Sequence, residues 1–165
     1  DKQAKKEVEK KLGKKIEGRV IGFKTGRREK VWEGNIISVG NSSTFIEPLE
    51  STSLNIIMHS VILLTDILNS GVNKYMIDRF NDEVNERLDN IADFISIHFI
   101  YNKKFNTKYW KDYNKMKVKK NTLADEIIEY YKHNNTKIVL TTKFYGDANP
   151  FGLEGWYSLL RGLNA

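Results

Sequence analysis

An acidic, hydroxyl-rich loop that runs directly into a long apolar stretch is the feature that most limits the fold of this chain. Residues 44–53 read TFIEPLESTS, with Glu47 and Glu50 close to Pro48, and residues 54–68 read LNIIMHSVILLTDIL. Ser and Thr before an apolar run are typical of a helix N-terminus. The first turn of a helix leaves N–H groups without partners at the positive end of the dipole. The sequence therefore predicts a strand, a tight acidic loop and a helix end that attracts anions.

Helical periodicity covers most of the chain. Lysine and glutamate alternate at helical spacing over residues 3–13, which predicts an exposed helix ended by Gly13, with Val8 and Leu12 facing inward. Residues 52–68 are apolar on nearly every side, which predicts a buried helix. The apolar spacing from Tyr75 to His98 and similar shorter patterns predict further helices over 73–101, 107–116, 123–133 (capped by Thr122, with Asp125 three residues on) and 151–163.

Two segments alternate between apolar and polar residues and are rich in Val, Ile, Phe and Trp. They are residues 16–24 and 29–39, with Gly26 between them, and they predict a β-hairpin around Thr25-Gly26-Arg27. Residues 137–142 form a short extended apolar run. The expected fold class is α+β and mostly helical, with strands in the front part and helices in the back part.

The positive charge is confined to one end of the chain. The formal net charge is +6, and residues 1–30 alone hold twelve Lys/Arg against five Asp/Glu, which is +7. No aromatic residues interleave the basic run as stacking platforms, so nucleic acid is not an expected partner. The apolar run around residues 54–68 is expected to be too short and too polar to cross a bilayer, so no membrane partner is expected either.

Other classes of site are disfavoured by composition. The chain has no cysteine and three isolated histidines, which excludes disulfides and thiolate metal sites, and no metal is expected. No secretory leader opens the sequence, and a cytoplasmic location is expected. His98 is interpreted as a buried, hydrogen-bonded helix histidine, and Tyr109 and Trp110 as core anchors.

Two segments of the chain carry distinctive motifs. The first is GRREKVWEGNIISVGNSSTFIEPLESTS at 26–53, and its motif residues are Gly26, Arg27, Arg28, Lys30, Trp32, Asn35, Gly40, Phe45, Glu47, Pro48, Leu49, Glu50, Ser51, Thr52 and Ser53. The second is FISIHFIYNKKFNTKYW at 94–110, with Phe94, Ile95, His98 and Trp110. In this order the two segments resemble the flavin-dependent tryptophan halogenase family.

This resemblance implies the C-terminal part of an FAD/NAD(P)-binding fold of the GR2-type, flavin monooxygenase-like kind. Residues 1–68 would be the end of the FAD-binding module, and residues 69–165 a helical substrate-binding module. The family's G-x-G-x-x-G phosphate loop, its W-x-W-x-I-P signature and its essential lysine are absent from the sequence. The chain is therefore expected to be a C-terminal fragment that is inactive alone.

The resemblance also implies a reaction. Reduced FAD, oxygen and a halide ion (chloride or bromide) would give hypohalous acid, which halogenates a small aromatic, indole-like substrate. A separate flavin reductase would supply the reduced cofactor, and a homodimer is possible in this family. Free tryptophan is not singled out as the substrate, because the tail is shorter than in members that chlorinate it.

The resemblance assigns roles residue by residue. Glu50 matches the catalytic glutamate, although an acid in the first turn of a helix is the plain structural alternative, and Glu47 would fix the loop. The backbone N–H groups of Thr52 and Ser53 would bind the halide. Gly40, Asn41, Pro48 and Leu49 would lie beside the flavin, and Phe144, Tyr145 and Trp156 would line the substrate site. Phe151 and Tyr157 could add to an aromatic wall, and Glu154 is the nearby candidate for gripping an amino-acid backbone.

Two other functions are consistent with the sequence. One is a flavin-dependent aromatic monooxygenase, a hydroxylase of the same fold. The other is a non-catalytic, basic helical binding module that uses residues 1–30 on an acidic partner.

Overall fold

The computed structural model describes residues 2–19, 21–133 and 149–164, and it is mostly helical, as the sequence predicts. The helices are α1 (Lys2–Leu12), α2 (Thr52–Ser70), α3 (Lys74–Ile100), α4 (Lys108–Tyr113), α5 (Leu123–His133) and α6 (Gly152–Leu163). The strands are β1 (Gly26–Arg27), β2 (Trp32–Glu33), β3 (Ile36–Ile37) and β4 (Thr44–Phe45), and a 3-10 turn spans Gly40–Ser42. Phe144, Tyr145 and the apolar run 137–142 lie outside the described residues.

Helix α3 is the central helix, because residues along it contribute to both hydrophobic cores. The first core lies between α2, α3 and β2. It contains residues from both of the expected modules, 1–68 and 69–165: Val31, Trp32, Ile56, Ile67, Phe80, Val84, Leu88, Ile91 and Ile95. The second lies between the end of α3, α5 and α6: Phe94, Ile97, Leu123, Ala124, Ile127, Ile128, Leu153, Trp156 and Leu160. Buried residues at helical spacing along 27 residues explain why so long a helix is stable.

The predicted caps of α5 and α1 are found. Thr122 Oγ1 accepts the backbone N–H of Asp125 at 3.3 Å, so it satisfies one of the free donors of α5. Helix α1 ends at Gly13, whose φ of +65° lies in the left-handed region that favours glycine. Helix α3 begins with a cap that the sequence analysis did not identify, in which the Asn73 side chain accepts from the backbone N–H of Met76 at 3.0 Å. Tyr75, predicted to face inward, is 68% exposed because it lies in the first turn, beyond the packed region.

The predicted hairpin around Gly26 is wrong. Strand β1 pairs antiparallel with β4, with Gly26 opposite Phe45, and β2 pairs with β3 across a two-residue loop at Gly34-Asn35. The described residues 16–19 and 21–24 contain no strand. An alternating pattern forms a strand only beside a pairing partner, and the side chains of Ile21 and Phe23 are about two-thirds exposed here.

The predicted inward orientation of Val8 and Leu12 in α1 and the predicted burial of α2 are also wrong. No residue of α1 is buried, and Val8 and Leu12 are about half exposed, because none of the described elements covers this helix. In α2 only Thr52, Ile56, Ser60 and Ile67 are buried. Five large apolar side chains of α2 are between 49% and 65% exposed, and they are called the apolar face of α2 below: Leu54, Met58, Val61, Ile62 and Leu68.

Among the described residues, α2 is the one helix long and apolar enough to cross a bilayer by length and composition. It has 19 residues and a mean hydropathy of 1.3. The sequence-based judgement that this run is too short is therefore corrected, because the helix extends beyond residues 54–68 at both ends. One such helix is weak evidence for a membrane, since core helices of soluble proteins pass the same test.

Candidate active site

The loop between β4 and α2 is compact and anchored at its start. The pairing of β4 with β1 is reinforced by Thr44 Oγ1, which donates to the carbonyl of Gly26 at 3.2 Å. Three residues on, the Leu49 N–H donates to the Glu47 carbonyl across Pro48 at 2.8 Å. A narrow turn at this proline therefore directs the chain toward the start of α2.

Two consecutive residues of this loop have a backbone conformation that is unfavourable for them. Glu50 has a φ of +58° and Ser51 a φ of +55°, and neither is a glycine. A left-handed conformation costs a non-glycine residue roughly 1–2 kcal/mol. Strain of this kind is found disproportionately at functional sites. The Glu50 side chain is 58% exposed, so its carboxylate is accessible.

The start of α2 differs in detail from the predicted cap. Ser51 occupies the cap position but makes no capping hydrogen bond through its side chain. Thr52 is buried, and its Oγ1 donates to the Leu49 carbonyl at 3.1 Å while its N–H lies 3.4 Å from the same oxygen. Leu54 N–H donates to the Ser51 carbonyl at 3.1 Å. The Thr52 amide is thus partly engaged, and the Ser53 amide is the better placed of the two to receive an anion.

The Gly40–Ser42 turn packs against the second turn of α2. Gly40 has a φ of +62°, and a Cβ built on it would lie 3.2 Å from Ile57 Cδ1. The turn is closed by Ser43, whose N–H and Oγ both donate to the Gly40 carbonyl, at 2.9 and 2.8 Å. Arg28 Nε donates to the Ser42 carbonyl at 2.7 Å. Glycine is therefore required at position 40, which places the exposed Asn41 beside the start of α2.

The structure brings His98 to this loop, which the sequence analysis missed. His98 lies in the last turn of α3, and its Nε2 is 3.6 Å from Oε1 of Glu50. Its Nδ1 is 3.1 Å from the Phe94 carbonyl, so the predicted hydrogen bond is found. The side chain is 22% exposed and not fully buried as predicted, because it lies in the last turn of α3 beside the exposed loop. A signal was present in the sequence: Glu50 and His98 each belong to one of the two family-like segments, and these segments meet here.

Of the three predicted substrate contacts, Trp156 is the one that lies among the described residues. Trp156 is fully buried in the second core, and its Nε1 donates to Asn149 Oδ1 at 2.9 Å. Phe151 stacks on Phe94 with ring centroids 3.6 Å apart, and Trp156 meets Phe94 edge-on at 4.9 Å. The burial of Trp156 is typical of a core residue, and its contact with a substrate stays a prediction. Phe144 and Tyr145 lie outside the described residues.

A second aromatic cluster joins α4 to the end of α3. Trp110 is half-buried and stacks with Phe99 and with Phe105, at centroid distances of 5.7 and 5.6 Å. Tyr109 is 54% exposed, so its predicted role as a core anchor is wrong, because it lies on the outer side of α4. Desolvation, a hydrogen bond with Tyr113 and the negative charge of Glu47 raise the pKa of Tyr109.

A metal cluster and a surface groove are the other kinds of site that a chain like this can offer. Within residues 2–19, 21–133 and 149–164, no group of three or more His, Asp or Glu could hold a metal ion. An open groove of about 930 Å³ lies along α3 and is lined mainly by charged and polar side chains, among them Asp82, Asp89, Asp93 and Lys119. None of the predicted site residues that the structure describes lines this groove, so the chemistry suggested by the loop lies elsewhere.

The predicted flavin-contact residues lie on two segments that precede α2. Gly40 closes a turn that packs against Ile57 of α2, Asn41 and Pro48 are exposed, and Leu49 is half-buried. Exposed polar and main-chain groups of this kind suit a contact with one part of a flavin. Ser53 offers a backbone N–H at the same helix start. No G-x-G-x-x-G phosphate loop occurs in the sequence, so this chain supplies nothing of that kind for a pyrophosphate.

Comparison with known proteins points to one family. A family profile described as tryptophan halogenase matches residues 1–165. The tryptophan 6-halogenase ThaL of Streptomyces albogriseolus is 32% identical over 116 residues, which cover 68% of this chain and 21% of that protein. The tryptophan 7-halogenase RebH of Lentzea aerocolonigenes is 35% identical over 92 residues, which cover 55% of this chain and 17% of that protein.

Solved structures agree with the sequence matches. BrvH, a flavin-dependent halogenase from Brevundimonas sp. BAL3, superposes with a TM-score of 0.77 at 27% identity, over 99% of this chain and 32% of that chain. MibH, a lanthipeptide tryptophan 5-halogenase, gives a TM-score of 0.75 at 27% identity with the same coverage. The chain thus spans between about a sixth and a third of the length of these relatives.

Proposed function

The chain belongs to the tryptophan halogenase family, and from that premise we propose that it is the C-terminal portion of an FAD-dependent halogenase. The whole enzyme uses reduced FAD, oxygen and a halide ion to halogenate an aromatic, indole-like substrate. The observation that carries the proposal is the strained Glu50–Ser51 pair at the start of α2, on the segment with the densest resemblance to the family. Strain at this point keeps an exposed carboxylate beside a helix end that attracts anions.

Two surfaces support the proposal that the chain is part of a larger module. The apolar face of α2 exposes five large side chains in one stripe, which is unusual for an independent soluble domain. Residues 16–24 have the alternation of a strand but no strand partner among the described residues. An upstream segment that covers α2 and pairs with residues 16–24 would bury the exposed apolar side chains and would supply the strand partner. In this arrangement residues 1–68 complete an FAD-binding module and residues 69–165 form the helical substrate-binding module.

Glu50 is the proposed catalytic residue. Electrophilic substitution on an aromatic ring places positive charge on the ring and then releases a proton. A carboxylate at the edge of the substrate stabilises that charge and accepts that proton. The accessible Glu50 side chain meets this requirement, whereas Thr52 is buried and Ser51 has only a hydroxyl.

The start of α2 is the proposed halide site. Ser53 N–H, with a smaller contribution from the partly engaged Thr52 N–H, would bind the ion through the main chain. Binding through backbone amides places no demand on the side chain at position 53. The positive end of the α2 dipole adds to the attraction.

Gly40, Asn41, Pro48 and Leu49 are proposed to contact the ring side of the flavin. Bound FAD, in its reduced form and with oxygen, supplies the oxidising equivalent that converts the halide to hypohalous acid. The role of this chain is to hold the halide beside the ring and to keep Glu50 at the substrate.

The remaining assignments follow from the same proposal. The substrate side includes the end of α3 and the start of α6, where Phe94 and Phe151 stack, and Phe144, Tyr145 and Trp156 stay proposed substrate contacts. A separate flavin reductase supplies reduced FAD, the enzyme is cytoplasmic, and a homodimer is compatible with the exposed surfaces. The isolated chain of 165 residues is proposed to be inactive.

The test uses the complete polypeptide with a flavin reductase, an aromatic substrate and bromide or chloride. Glu50→Gln should leave flavin oxidation intact and lower halogenation by about 100-fold or more, since general acid–base catalysis typically contributes that much. Glu47→Gln is the matched control, because it removes a carboxylate from the same loop. Hydroxylated product without halogen would overturn the proposal in favour of a monooxygenase. Equal loss of flavin oxidation and halogenation in Glu50→Gln would contradict the role of Glu50.

The halide site has its own test. A crystal of the complete polypeptide soaked in bromide should show an anomalous peak within hydrogen-bonding distance of Ser53 N. Absence of a peak at the start of α2, in crystals of an enzyme that brominates its substrate, would refute the assignment.

A further inference from the structure

His98 and Glu50 meet although 48 positions separate them in the sequence. The imidazole Nε2 lies 3.6 Å from a carboxylate oxygen of Glu50, which is within ion-pair distance when the ring is protonated. The His98 side chain is 22% exposed and that of Glu50 58%, so the histidine is the more fixed of the two. Among the described residues, His98 is the one side chain with an ion-pair contact to Glu50.

Both nitrogens of the His98 ring face hydrogen-bond acceptors. Nδ1 lies 3.1 Å from the Phe94 carbonyl, one turn back in α3, and a carbonyl accepts only when Nδ1 carries the proton. A neutral ring with its proton on Nδ1 would point the lone pair of Nε2 at the Glu50 carboxylate. A doubly protonated ring donates to both acceptors.

The Phe94 ring keeps this histidine in place. It meets the His98 ring edge-on with centroids 5.3 Å apart, stacks on Phe151 at 3.6 Å and contacts Trp156 at 4.9 Å. Phe94 and Trp156 are buried, and Phe151 lies at the start of α6. The orientation of His98 is therefore set by packing between α3 and α6.

Glu50 has little else to fix it. It lies on a loop, its side chain is mostly exposed, and an exposed glutamate loses rotamer freedom only when a partner holds it. We propose that His98 is a positioning residue that holds the Glu50 carboxylate at the substrate. This inference rests on the proposed function, because it assumes that Glu50 acts on the substrate ring. It also gives α6 a role in catalysis, through Phe94 and His98.

The proposal is tested by kinetics in the complete polypeptide. His98→Leu removes both donors at similar size, and it should lower kcat for halogenation about tenfold or more, since small misplacements of a catalytic group have effects of this order. The KM for the substrate should change less than about twofold, because Glu50 acts in the transition state. His98→Gln, whose amide can still donate to Glu50, should recover most of the lost rate. His133→Leu, at an exposed histidine in α5, is the control.

Three readouts separate this role from a structural one. Hypohalous acid formation, followed with a chemical trap such as monochlorodimedone, should be unchanged in His98→Leu. The double variant Glu50→Gln/His98→Leu should be no slower than Glu50→Gln alone, because a positioning residue has no effect once its target is removed. Thermal unfolding followed by circular dichroism identifies a variant that does not fold. If His98→Leu does not fold, the same comparison is made with His98→Gln and the double variant Glu50→Gln/His98→Gln.

Each outcome has one interpretation. Additive losses in the double variant, or normal halogenation by His98→Leu, would overturn the role of His98 while leaving that of Glu50 intact. If the unmodified complete polypeptide forms no halogenated product, the proposed function itself is wrong. That result is distinguishable from a failure of the His98 proposal, because it is obtained without any variant.

Discussion

The Asn81 side chain replaces a missing strand neighbour for Trp32. Its Oδ1 accepts the backbone N–H of Trp32 at 2.8 Å, and its Nδ2 donates to the Trp32 carbonyl at 2.9 Å. The same Oδ1 also accepts the N–H of Val31 at 2.8 Å. One amide on α3 therefore satisfies three buried backbone groups and fixes the segment that leads toward the Glu50 loop.

Asn81→Ala should lower the free energy of unfolding by about 3 kcal/mol. Each buried polar group left without a partner costs roughly 1–3 kcal/mol, and relaxation of the short strand recovers part of that loss. Urea unfolding followed by circular dichroism measures the change.

The matched control is Asn85→Ala, one turn further along α3. Asn85 Nδ2 donates a single, more exposed hydrogen bond to the Glu29 carbonyl at 2.7 Å. The control should cost less than about 1 kcal/mol. A similar loss in both variants would contradict the importance assigned to Asn81.

The helices could be predicted from the sequence, whereas the pairing of the strands could not. Helices α3, α5 and α6 carry their own periodic signal, and local residues mark some helix ends, such as Thr122 at the start of α5 and Gly13 at the end of α1. Strands need partners that are distant in sequence, and Gly26 pairs with Phe45 rather than closing a hairpin.

Only the local part of the candidate site could be predicted, because its other contacts join residues that are distant in sequence. The positions of Glu50, Thr52 and Ser53 at a helix start follow from local sequence, although the left-handed backbone at Glu50 has no local signal because glutamate does not favour it. The contact with His98 depends on how α3 packs beside the loop. Burial of α2 was overestimated, because apolar periodicity shows that a face needs a cover but not whether the chain supplies one.

Gly40→Ala should destabilise the protein by about 2 kcal/mol. The variant combines the cost of a left-handed alanine, roughly 1 kcal/mol, with the contact of its Cβ at 3.2 Å from Ile57 Cδ1. Gly34→Ala separates the two effects, because Gly34 has a similar φ of +60° and nothing within 4 Å of an added Cβ. Unfolding in urea should show the larger loss for Gly40→Ala.

A second substitution tests the steric part. Ile57→Val removes the Cδ1 methyl, so it should recover part of the loss when combined with Gly40→Ala. No recovery would mean that the backbone conformation alone requires glycine at position 40.

Asp93→Asn should stabilise the protein near neutral pH and have little effect at about pH 3, below the ordinary range of a carboxyl pKa. Burial raises the pKa of Asp93, and the charge of Asp89 adds to this, although a hydrogen bond from Thr122 and the charge of Lys119 oppose it. A carboxyl with a raised pKa in the folded state binds its proton more tightly there than in the unfolded chain. The free energy of unfolding therefore falls as the pH rises from the unfolded pKa through the folded one.

Asparagine keeps an acceptor for Thr122 and removes the buried charge. Melting temperatures measured by circular dichroism at both pH values test the prediction. Asp82→Asn, on an exposed position of the same helix, controls for the loss of one negative charge. An equal shift in melting temperature at both pH values would show that the charge of Asp93 is not the cause.

The double variant Met58→Lys/Ile62→Lys should be tolerated in the isolated chain but harmful in the complete polypeptide. Both side chains lie on the apolar face of α2 and are about 60% exposed in the chain, so their replacement should change its stability by less than about 0.5 kcal/mol and reduce its self-association. In the complete polypeptide the same lysines would be buried beneath the FAD-binding portion, and retention of FAD should be lost. Sedimentation of the isolated chain and flavin absorbance of the purified whole enzyme measure the two effects.

The control is Asn69→Lys, an exposed polar position of the same helix that should leave both measurements unchanged. Flotation with lipid vesicles separates the proposed covering segment from a membrane, because a membrane-binding face would carry the isolated chain upward and the two lysines would abolish this. Normal FAD retention in the double variant of the whole enzyme would contradict the covering of α2. Tight FAD binding by the isolated chain would contradict the proposal more broadly, because a chain without a phosphate loop would then hold the cofactor alone.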